Sequence, residues 1–397
     1  MITIKKSWMY MYCLIAYLEP AMFQESRAFN GVDKVDSIYD LLKLSAAAIV
    51  LYVYIRRKKW SLLVIVMSLL QIWTAVATIK NQGDFMRYFG PALTAVVLIM
   101  LTEIALDDNV FELISDINKI FTIFFWFNFV YVLAVTASGV DTVSYNYVFF
   151  LGIDNRFIFS FLPWVTFNFM LSMYEHGEIT AKSIIPLLAS WGLLLWRWSV
   201  GATFGMTLWF IYIFSTKSGR FKLPSMGAFV SILVSNYALV IDRIQYRFED
   251  IIVGKLHKSI TITGRTFLWD AVIAVAQRSP LFGGGVQSIA HDKQYFLVFS
   301  GLSACAVPHA HNYFVNITYH GGYVGLGLFI FLFFLSFYKL SRNKEVVYGQ
   351  TLIYALFIMF ILSLVDTLDF PCSYIFFTLA YHIDKLPAPK RMVLKCQ

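Results

Sequence analysis

The chain has 397 residues, of which 59% are hydrophobic and only 14% are charged, and its mean hydropathy is +0.66. Water-soluble domains carry about a quarter charged residues and less than half apolar residues, so this composition excludes a large soluble protein. The formal net charge of +8 would suggest nucleic acid binding in a soluble protein, but in a membrane protein basic residues indicate topology. We therefore expect a membrane protein that binds no nucleic acid.

Apolar runs that could cross a bilayer as helices recur along the chain, and there are twelve of them. They lie at Trp8–Phe23, Ile38–Ile55, Trp60–Ile79, Gly90–Leu106, Ile120–Ala137, Phe159–Met173, Ile184–Trp196, Ser199–Phe214, Pro224–Ile241, Tyr313–Tyr338, Val347–Val365 and Phe370–Ile383. The sequence therefore predicts an all-α polytopic membrane protein of about 12 transmembrane helices, with residues 1–397 forming a single integral membrane domain.

The placement of the basic residues predicts the orientation of these helices. If the cluster at 56–59 is cytoplasmic, 18 of the 32 lysines and arginines lie inside, 7 lie in short outer loops and 7 in one long outer segment. This distribution follows the positive-inside rule, which largely ignores long loops. Glu19 and Pro20 interrupt the first apolar run, and no clear cleavage site follows, so we expect a retained first helix and two cytoplasmic termini.

Two connecting segments have helical periodicity of their own. Residues 242–312 form the long polar segment, which the topology places outside the membrane between transmembrane helices nine and ten. Within it, the apolar spacing at Phe267–Val275 predicts a helix that is capped by Thr263 or Thr266 and ends at Ser279 and Pro280. The segment Asp107–Lys119 has apolar residues at helical spacing, which is typical of an amphipathic helix on the inner surface or of a simple connector.

Three outward-facing residues have side chains suited to chemistry on an anionic substrate. Arg197 lies between two tryptophans at an outer helix junction, and Arg265 begins the predicted loop helix, where backbone amides also favour an anion. His311 lies at the outer end of the tenth run, where a neutral imidazole can accept a proton. The alternatives are an arginine that reaches the membrane interface and stacks on aromatic rings, for Arg197, and a solvated loop arginine, for Arg265.

His309 lies two residues before His311, and this spacing also raises the possibility of a metal site. His291 and Asp292 are the further candidate ligands, but a site would need a third ligand in register, and we do not favour it. The four cysteines lie far apart and indicate neither a disulfide framework nor a zinc site. We therefore expect no metal and no cofactor.

The segments GRTFLWDAVIAVAQRSPLFGGGVQSI and HAHNYFVNITYHGGYVGLGLF resemble the O-antigen ligase and polysaccharide polymerase superfamily of bacterial envelope proteins. The matching positions are Arg265, Trp269, Pro280, Gly283, Gly285, His311, Asn312, Gly322, Gly325 and Phe329. The close pattern covers about 65 residues, and the topology extends the resemblance to the whole chain. The segment WRWSVGATFG is similar to the arginine-containing start of an outer helix in this family, although its tryptophans depart from the usual small neighbours.

The resemblance implies a metal-independent, inverting glycosyltransferase of the C-type, acting at the outer face of the bacterial plasma membrane. Its donor would be a glycan linked to undecaprenyl pyrophosphate. Arg197 and Arg265 would bind the pyrophosphate leaving group, because arginines contact phosphate oxygens bidentately. His311 would be the catalytic base, and His309 or Asn312 would orient it.

Other outer residues are weaker candidates for substrate binding. Asp366 and Asp369 lie at the outer end of the eleventh run, where they either pair with an active-site arginine or form a solvated turn before Pro371. We favour the solvated turn. Arg156, in another outer loop, is a candidate contact to the glycan.

The favoured function is a polymerase that transfers the growing glycan to a lipid-linked repeat unit, since this reaction needs only one type of lipid carrier. The alternatives are a ligase that transfers finished glycan to lipid A-core or another envelope acceptor, a polysaccharide or lipid transporter, and a non-catalytic scaffold. Expected partners are lipid-linked donor and acceptor, membrane lipids, a chain-length regulator and a flippase.

Overall fold

The computed structural model describes residues 6–25, 33–140, 147–218, 222–255, 259–262, 264–302, 305, 307–343, 346–367 and 370–390. Within these ranges the chain is helical, and its β structure is one isolated bridge between Phe149 and Gly152. The helices are α1 (Lys6–Tyr17), α2 (Ala21–Glu25), α3 (Asp33–Arg57), α4 (Leu62–Lys80), α5 (Phe85–Asp108), α6 (Val110–Ala137), α7 (Ile158–His176), α8 (Ala181–Trp196), α9 (Val200–Ser218), α10 (Ser225–Val240), α11 (Arg265–Arg278), α12 (Ile289–Ser300), α13 (Tyr313–Arg342), α14 (Gly349–Ser363) and α15 (Cys372–Tyr381).

Every apolar run predicted from the sequence coincides with one or two of these helices. Six helical segments of the described chain are long and apolar enough to cross a membrane. They are Ser37–Arg57, Leu62–Lys80, Phe85–Asp108, Val110–Ala137, Asp154–His176 and Tyr313–Arg342. Helices α8, α9, α10, α14 and α15 are apolar but shorter. The prediction of an all-α polytopic membrane protein is confirmed, while the count of twelve spans stays a prediction.

The segment Asp107–Lys119 does not form a separate surface helix. Helix α6 begins at Val110 and continues into the apolar run without a break. Phe111, Leu113 and Ile117 are buried in the protein core, so their helical spacing reflects packing against neighbouring helices. The amphipathic-helix interpretation was therefore wrong, and so was the alternative of a simple connector.

Helix α13 packs against α4, α10, α11 and α15 and has an aromatic core at its centre. The rings of Phe333 and Phe360 are 3.9 Å apart between centroids, and close packing of this kind holds helices together where lipid supplies no hydrophobic driving force. Gly322 breaks the helix, with φ 63° and ψ −162°. Because glycine adopts positive φ without a steric penalty, the kink is built into the sequence.

The polar segment before α13 contains more helix than the sequence predicted. Helix α11 confirms the predicted loop helix, and its C-cap is Ser279, as expected. Its N-cap is Gly264, at φ 83°, and not Thr266, while Thr263 lies outside the described residues. Helix α12 was not predicted, because its apolar and polar residues follow no clear period. Short turns at Ile244–Phe248 and Asp250–Lys255 precede both helices.

The bundle has two polar ends, and the long segment lies at one of them. Helix α4 begins beside the basic cluster at 56–59, where Arg57 pairs with Asp107. Its other end meets the loop, because the side-chain amide of Asn81 donates to the carbonyl of Gly283 at 3.3 Å. The candidate site residues therefore lie at the end opposite the basic cluster, which we call the loop end.

Candidate active site

A glycine-rich stretch of the loop, residues 280–286, fits backbone to backbone against the kink of α13 and the end of α4. A Cβ atom on Gly283 would lie 2.4 Å from the carbonyl oxygen of Tyr319, and one on Gly322 would lie 2.4 Å from that of Leu281. A Cβ on Gly285 would lie 2.7 Å from the Cα of Thr78. These glycines are required because the backbones approach too closely for any side chain.

Hydrogen bonds hold this stretch in place. The amide of Gly284 donates to the carbonyl of Tyr319 at 2.7 Å, and the amide of Tyr323 donates to that of Pro280 at 2.8 Å. The indole N–H of Trp73 donates a hydrogen bond to the carbonyl of Gly321 at 2.9 Å. The kink exposes backbone groups of α13 that the loop then satisfies. Pro280, Gly283 and Gly285 belong to the family pattern noted in the sequence. In the structure their stretch forms a fixed joint between the loop and the bundle.

A buried ion pair, not expected from the sequence, makes a second connection. Arg87 on α5 donates to Asp292 on α12 at 2.6 Å and to the carbonyl of Pro308 at 3.1 Å. The other oxygen of Asp292 accepts from the hydroxyl of Tyr319 at 2.8 Å. Asp292 is fully buried, and these bonds occupy both of its oxygens. It is committed to structure, which leaves it unsuited to the metal site considered with His291.

The segment 309–312 is fixed on both sides of His311. Ala310 accepts at its carbonyl from the indole of the buried Trp269, at 3.0 Å. Asn312 caps α13 through the amide of Val315 at 3.0 Å, and its side-chain amide donates to Asn236 at 2.8 Å and to the carbonyl of Leu364 at 3.1 Å. Because its amide is committed to these bonds, Asn312 has a structural role. Its contact with substrate stays a prediction.

His311 has a backbone conformation that is rare for residues other than glycine, with φ 49°. A non-glycine residue in this region costs free energy, and such residues cluster at functional sites. The strained backbone places Nδ1 of His311 3.4 Å from an Oδ1 of Asp366, which is ion-pair distance but longer than a good hydrogen bond. Only about a quarter of each side chain is exposed.

Asp366 therefore faces a histidine, a partner that the sequence did not indicate. It is not in a solvated turn, and its nearest ionic partner is not an arginine. Burial opposes its ionisation, but His311 and the backbone amide of Thr367 outweigh burial and hold the pKa of Asp366 below its usual value. The carboxylate is thus charged and able to orient and stabilise a protonated His311. Asp369 lies outside the described residues.

His309 lies against His311, with ring centroids 4.2 Å apart and the planes nearly perpendicular. Burial, followed by the nearby charge of His311, lowers the pKa of His309 to about 3. Its imidazole is therefore neutral at physiological pH. Arg87 and Arg156 also disfavour its protonation, so the structure brings positive charge from two separate segments toward this residue.

Arg265 begins α11, as the sequence predicted. Burial lowers the pKa of its guanidinium, and the charge of Asp366 partly offsets this effect. No hydrogen bond or ion pair holds the guanidinium within the described part of the chain. A partly buried arginine in this position can bind an anion without first breaking an internal ion pair.

Arg197 is already bound by a carboxylate. Its Nε atom donates to Oδ1 of Asp154 at 2.9 Å, and a terminal nitrogen donates to Oδ2 at 3.0 Å. The guanidinium also lies over the ring of Phe149, 5.0 Å from its centroid. Two of its donors are therefore occupied, and the flanking Trp196 and Trp198 are exposed.

Arg156 shares a short 3₁₀ turn with Asp154 and lines a pocket beside the His311 and Asp366 pair. The pocket has a volume of about 90 Å³ and includes Thr367, Glu19 and several apolar side chains. The apolar lining consists of Leu18, Phe121, Phe124, Leu151, Phe159 and Phe370, among others. An arginine beside apolar walls suits a group with both a charged and a lipid part.

The structure brings together five of the predicted site residues: His309, His311, Asp366, Arg265 and Arg156. Arg197 connects to them through Asp154 and the turn that carries Arg156. The sequence did not indicate the pairing of His311 with Asp366, because the two residues are 55 positions apart on different helix ends. Arg87 also gave no signal, since its partners lie far along the chain.

Residues 184–330 match the family model described as O-Antigen ligase. The chain is also 33% identical over 94 residues to the exopolysaccharide production protein ExoQ of Rhizobium meliloti (strain 1021), an alignment that covers 22% of this chain and 21% of that protein. The chain thus aligns with about a fifth of the length of the curated relative. The family match includes Arg197, Arg265, His309 and His311. Through this segment, the chain is similar to the O-antigen ligase and polysaccharide polymerase superfamily.

Proposed function

We propose that this protein is an inverting glycosyltransferase that uses a glycan linked to undecaprenyl pyrophosphate as its donor. The observation that carries the proposal is the partly buried pair of His311 and Asp366, next to Arg265, which makes no ion pair within the described part of the chain. Both His311 and Arg265 lie in the segment that matches the O-antigen ligase family. The pair supplies a base, and the arginine supplies positive charge for a leaving group.

His311 acts as the general base in this proposal. Its Nδ1 faces Asp366, which leaves Nε2 for a proton from a hydroxyl of the acceptor sugar. The hydroxyl oxygen forms a bond to the anomeric carbon of the donor, and the bond from that carbon to the pyrophosphate oxygen breaks. The electron pair leaves with the pyrophosphate, and Asp366 stabilises the imidazolium that forms. Direct attack of this kind inverts the anomeric carbon.

Arg265 neutralises the charge that develops on the pyrophosphate. A partly buried guanidinium interacts with phosphate oxygens more strongly than a solvated one, because water competes less. Arg197 is the second candidate, but Asp154 already occupies two of its donors. We therefore assign the larger share of this role to Arg265 and a smaller share to Arg197. Arginines and a base suffice for the reaction, so the proposal includes no metal.

The pocket beside Arg156 gives the lipid-linked phosphate a place to bind. Its arginine and apolar lining match the junction between a pyrophosphate and a polyprenyl chain. Substrate contacts from His309, Asn312, Asp366 and Arg156 belong to this proposal. The lipid would enter from the membrane, and the loop end would face the outside of a bacterial plasma membrane, with both termini in the cytoplasm.

The favoured acceptor is a second lipid-linked repeat unit, which makes the protein a polymerase. The Rhizobium relative is an exopolysaccharide production protein, which agrees with polymer synthesis. The family model carries the name O-Antigen ligase, so transfer of finished glycan to lipid A-core or another acceptor is the second candidate. A flippase and a chain-length regulator are expected partners of either enzyme.

Glycan analysis of a deletion strain tests the proposal. The strain is complemented with wild type or with His311→Ala, and lipid-linked and surface glycans are separated by size. Single repeat units without long chains in the variant would support a polymerase, whereas long chains retained on the lipid carrier would support a ligase. Normal surface glycan with His311→Ala would contradict the role of His311 as the base.

A further inference from the structure

A second cleft lies at the end of the bundle opposite the candidate active site, and the proposed reaction does not use it. It has a volume of about 570 Å³ and lies between the turn that joins α3 to α4 and the ends of α5 and α15. This volume is within the range of small-molecule sites, roughly 300–1,000 Å³. We infer that this cleft binds the phosphate-bearing headgroup of an anionic membrane lipid.

Four cationic side chains line the cleft: Arg57, Lys58, Lys59 and Lys385. Arg57 and Lys59 both pair with Asp107, so two cations share one carboxylate. Lys58 and Lys385 are exposed, and in the described ranges neither makes an ion pair. The rim of the cleft therefore carries excess positive charge that a phosphate would neutralise.

The floor of the cleft is a closed hydrogen-bond network, so it does not compete for those cations. The hydroxyl of Tyr54 donates to one oxygen of Glu103 at 2.6 Å, and Nε2 of His382 lies 2.8 Å from the other. All three side chains are buried or nearly so. Because both oxygens of Glu103 already have polar partners in this network, the carboxylate does not hold Lys58 or Lys385, and these lysines remain available to a ligand.

The start of α4 adds a feature that favours an anion. Ser61 caps this helix, with its hydroxyl accepting from the amide of Val64 at 3.1 Å, and it lines the cleft together with Leu62. Helix α4 has 19 residues, and the positive end of its dipole therefore lies at the cleft. The cationic rim and the start of α4 therefore both attract an anion into this cleft.

The apolar wall of the cleft distinguishes a lipid from a free phosphate ion. Trp60 is 55% exposed and Leu62 is 44% exposed, and both line the cleft beside the lysines. The ring of Trp60 contacts that of Tyr54 edge to face, at 5.6 Å between centroids. An exposed tryptophan at the end of a membrane helix is typical of the lipid interface. Acyl chains would cover this wall while the lysines contact the phosphate.

Native mass spectrometry of the full-length protein in neutral detergent tests the inference. Phosphatidylglycerol and phosphatidylcholine are added in parallel, and the fraction of protein that retains each lipid is measured. We expect selective retention of phosphatidylglycerol and a loss of affinity of about fivefold for each lysine removed in Lys58→Gln and Lys385→Gln, or about 25-fold for both. These lysines are exposed, so the variants should fold normally.

Arg56→Gln is the matched control. Arg56 belongs to the same basic cluster, but its guanidinium lies over the ring of Tyr52, at 4.6 Å, and does not line the cleft. Equal losses in Arg56→Gln and in the lysine variants would indicate diffuse surface attraction and overturn the inference. Equal retention of both lipids would also overturn it.

A separate arm identifies the source of the phosphate. Millimolar inorganic phosphate is added to the protein with phosphatidylglycerol, and lipid retention is measured again. Unchanged retention supports a lipid site, whereas displacement of the lipid by the added phosphate would overturn it in favour of a soluble anion. Glycan transfer at the loop end is independent of this cleft, so either conclusion can fail without the other.

Discussion

Residues 280–286 and residues 309–311 lie in the same family-matched segment, but their contacts differ. In the first stretch, glycines bring backbones so close that added Cβ atoms would clash with Tyr319 and Thr78. In the second, Nδ1 of His309 is buried and lacks a hydrogen-bond partner in the described ranges, while Nδ1 of His311 faces the carboxylate of Asp366 at 3.4 Å. The first stretch thus fixes the loop in place, whereas the second keeps histidine nitrogen atoms that can hydrogen-bond to a substrate.

Replacing Gly283 should give the largest effect, because it breaks the fixed joint. Gly283→Ala would place a methyl group 2.4 Å from the carbonyl oxygen of Tyr319 at φ 62°. We expect a loss of stability of more than about 3 kcal/mol, with little folded protein recovered. Size-exclusion chromatography in detergent and thermal unfolding measure this.

Gly284→Ala is the control for this change. Its added Cβ would meet only ordinary contacts, the nearest at 3.4 Å, so its unfolding temperature should stay close to that of wild type. If Gly283→Ala is equally stable, the loop is not fixed at this joint, and the contrast with the histidine segment is lost.

Replacing His311 should leave the fold intact and remove chemistry. His311→Gln retains polarity and size but cannot accept the proton, so we expect kcat to fall by about 10²–10⁴-fold. The assay follows glycan transfer between lipid-linked repeat units by purified protein. His291→Gln is the control, since His291 is more than half exposed on α12 and should keep full activity. An equal fall in both variants would show that loop structure and not base chemistry is affected.

Arg265→Lys tests the charge at the loop end separately from the base. Lysine keeps the charge but lacks the planar guanidinium that makes two parallel hydrogen bonds to a phosphate, so the rate of glycan transfer should fall about 10- to 100-fold. Arg278→Lys, at the exposed end of the same helix, should transfer at the wild-type rate. Retained activity in Arg265→Lys would mean that charge alone suffices and that the bidentate model is wrong.

Sequence reasoning predicted the helices well, because apolar run length is a local property of the chain. The runs at α3 and α13, for example, matched helices closely. It failed at α6, where the apolar residues from Val110 onward had the spacing of a surface helix but pack in the core. Periodicity gives the apolar face of a helix, but only tertiary structure decides whether protein or the membrane surface covers that face.

The candidate site was predictable only where its residues lie close together along the chain. The motif order and the family resemblance indicated Arg265 and His311, and the structure places Arg265 at the start of α11. The approach of Asp366 to His311 and the bond from Arg87 to Pro308 depend on how distant helices pack. Asn312 has a structural role that the sequence did not indicate, because its side chain caps α13.

The smallest expected effect concerns His309, whose buried and unpartnered Nδ1 in the described ranges should make the stability of the protein depend on pH. Its pKa is lowered from 6.5 to about 3 in the folded protein, so the unfolded chain takes up a proton more readily. The sign follows from linkage: this histidine favours folding fully above pH 6.5 and loses that contribution as pH falls toward 3. His309→Gln cannot take up this proton. We therefore expect its unfolding temperature to fall less steeply on acidification, with a difference from wild type of about 2–4 °C near pH 4.5.

Thermal unfolding between pH 7 and pH 4 measures this difference, with His291→Gln as the control. His291 is exposed, so its replacement should leave the slope unchanged. Asp366 remains in both variants, and its lowered pKa maintains part of the acid sensitivity at the lower end of the range. Identical slopes for His309→Gln and wild type would mean that His309 is solvated. Residues 309–311 would then not be the partly buried polar segment that we contrast with the closely packed glycines of residues 280–286.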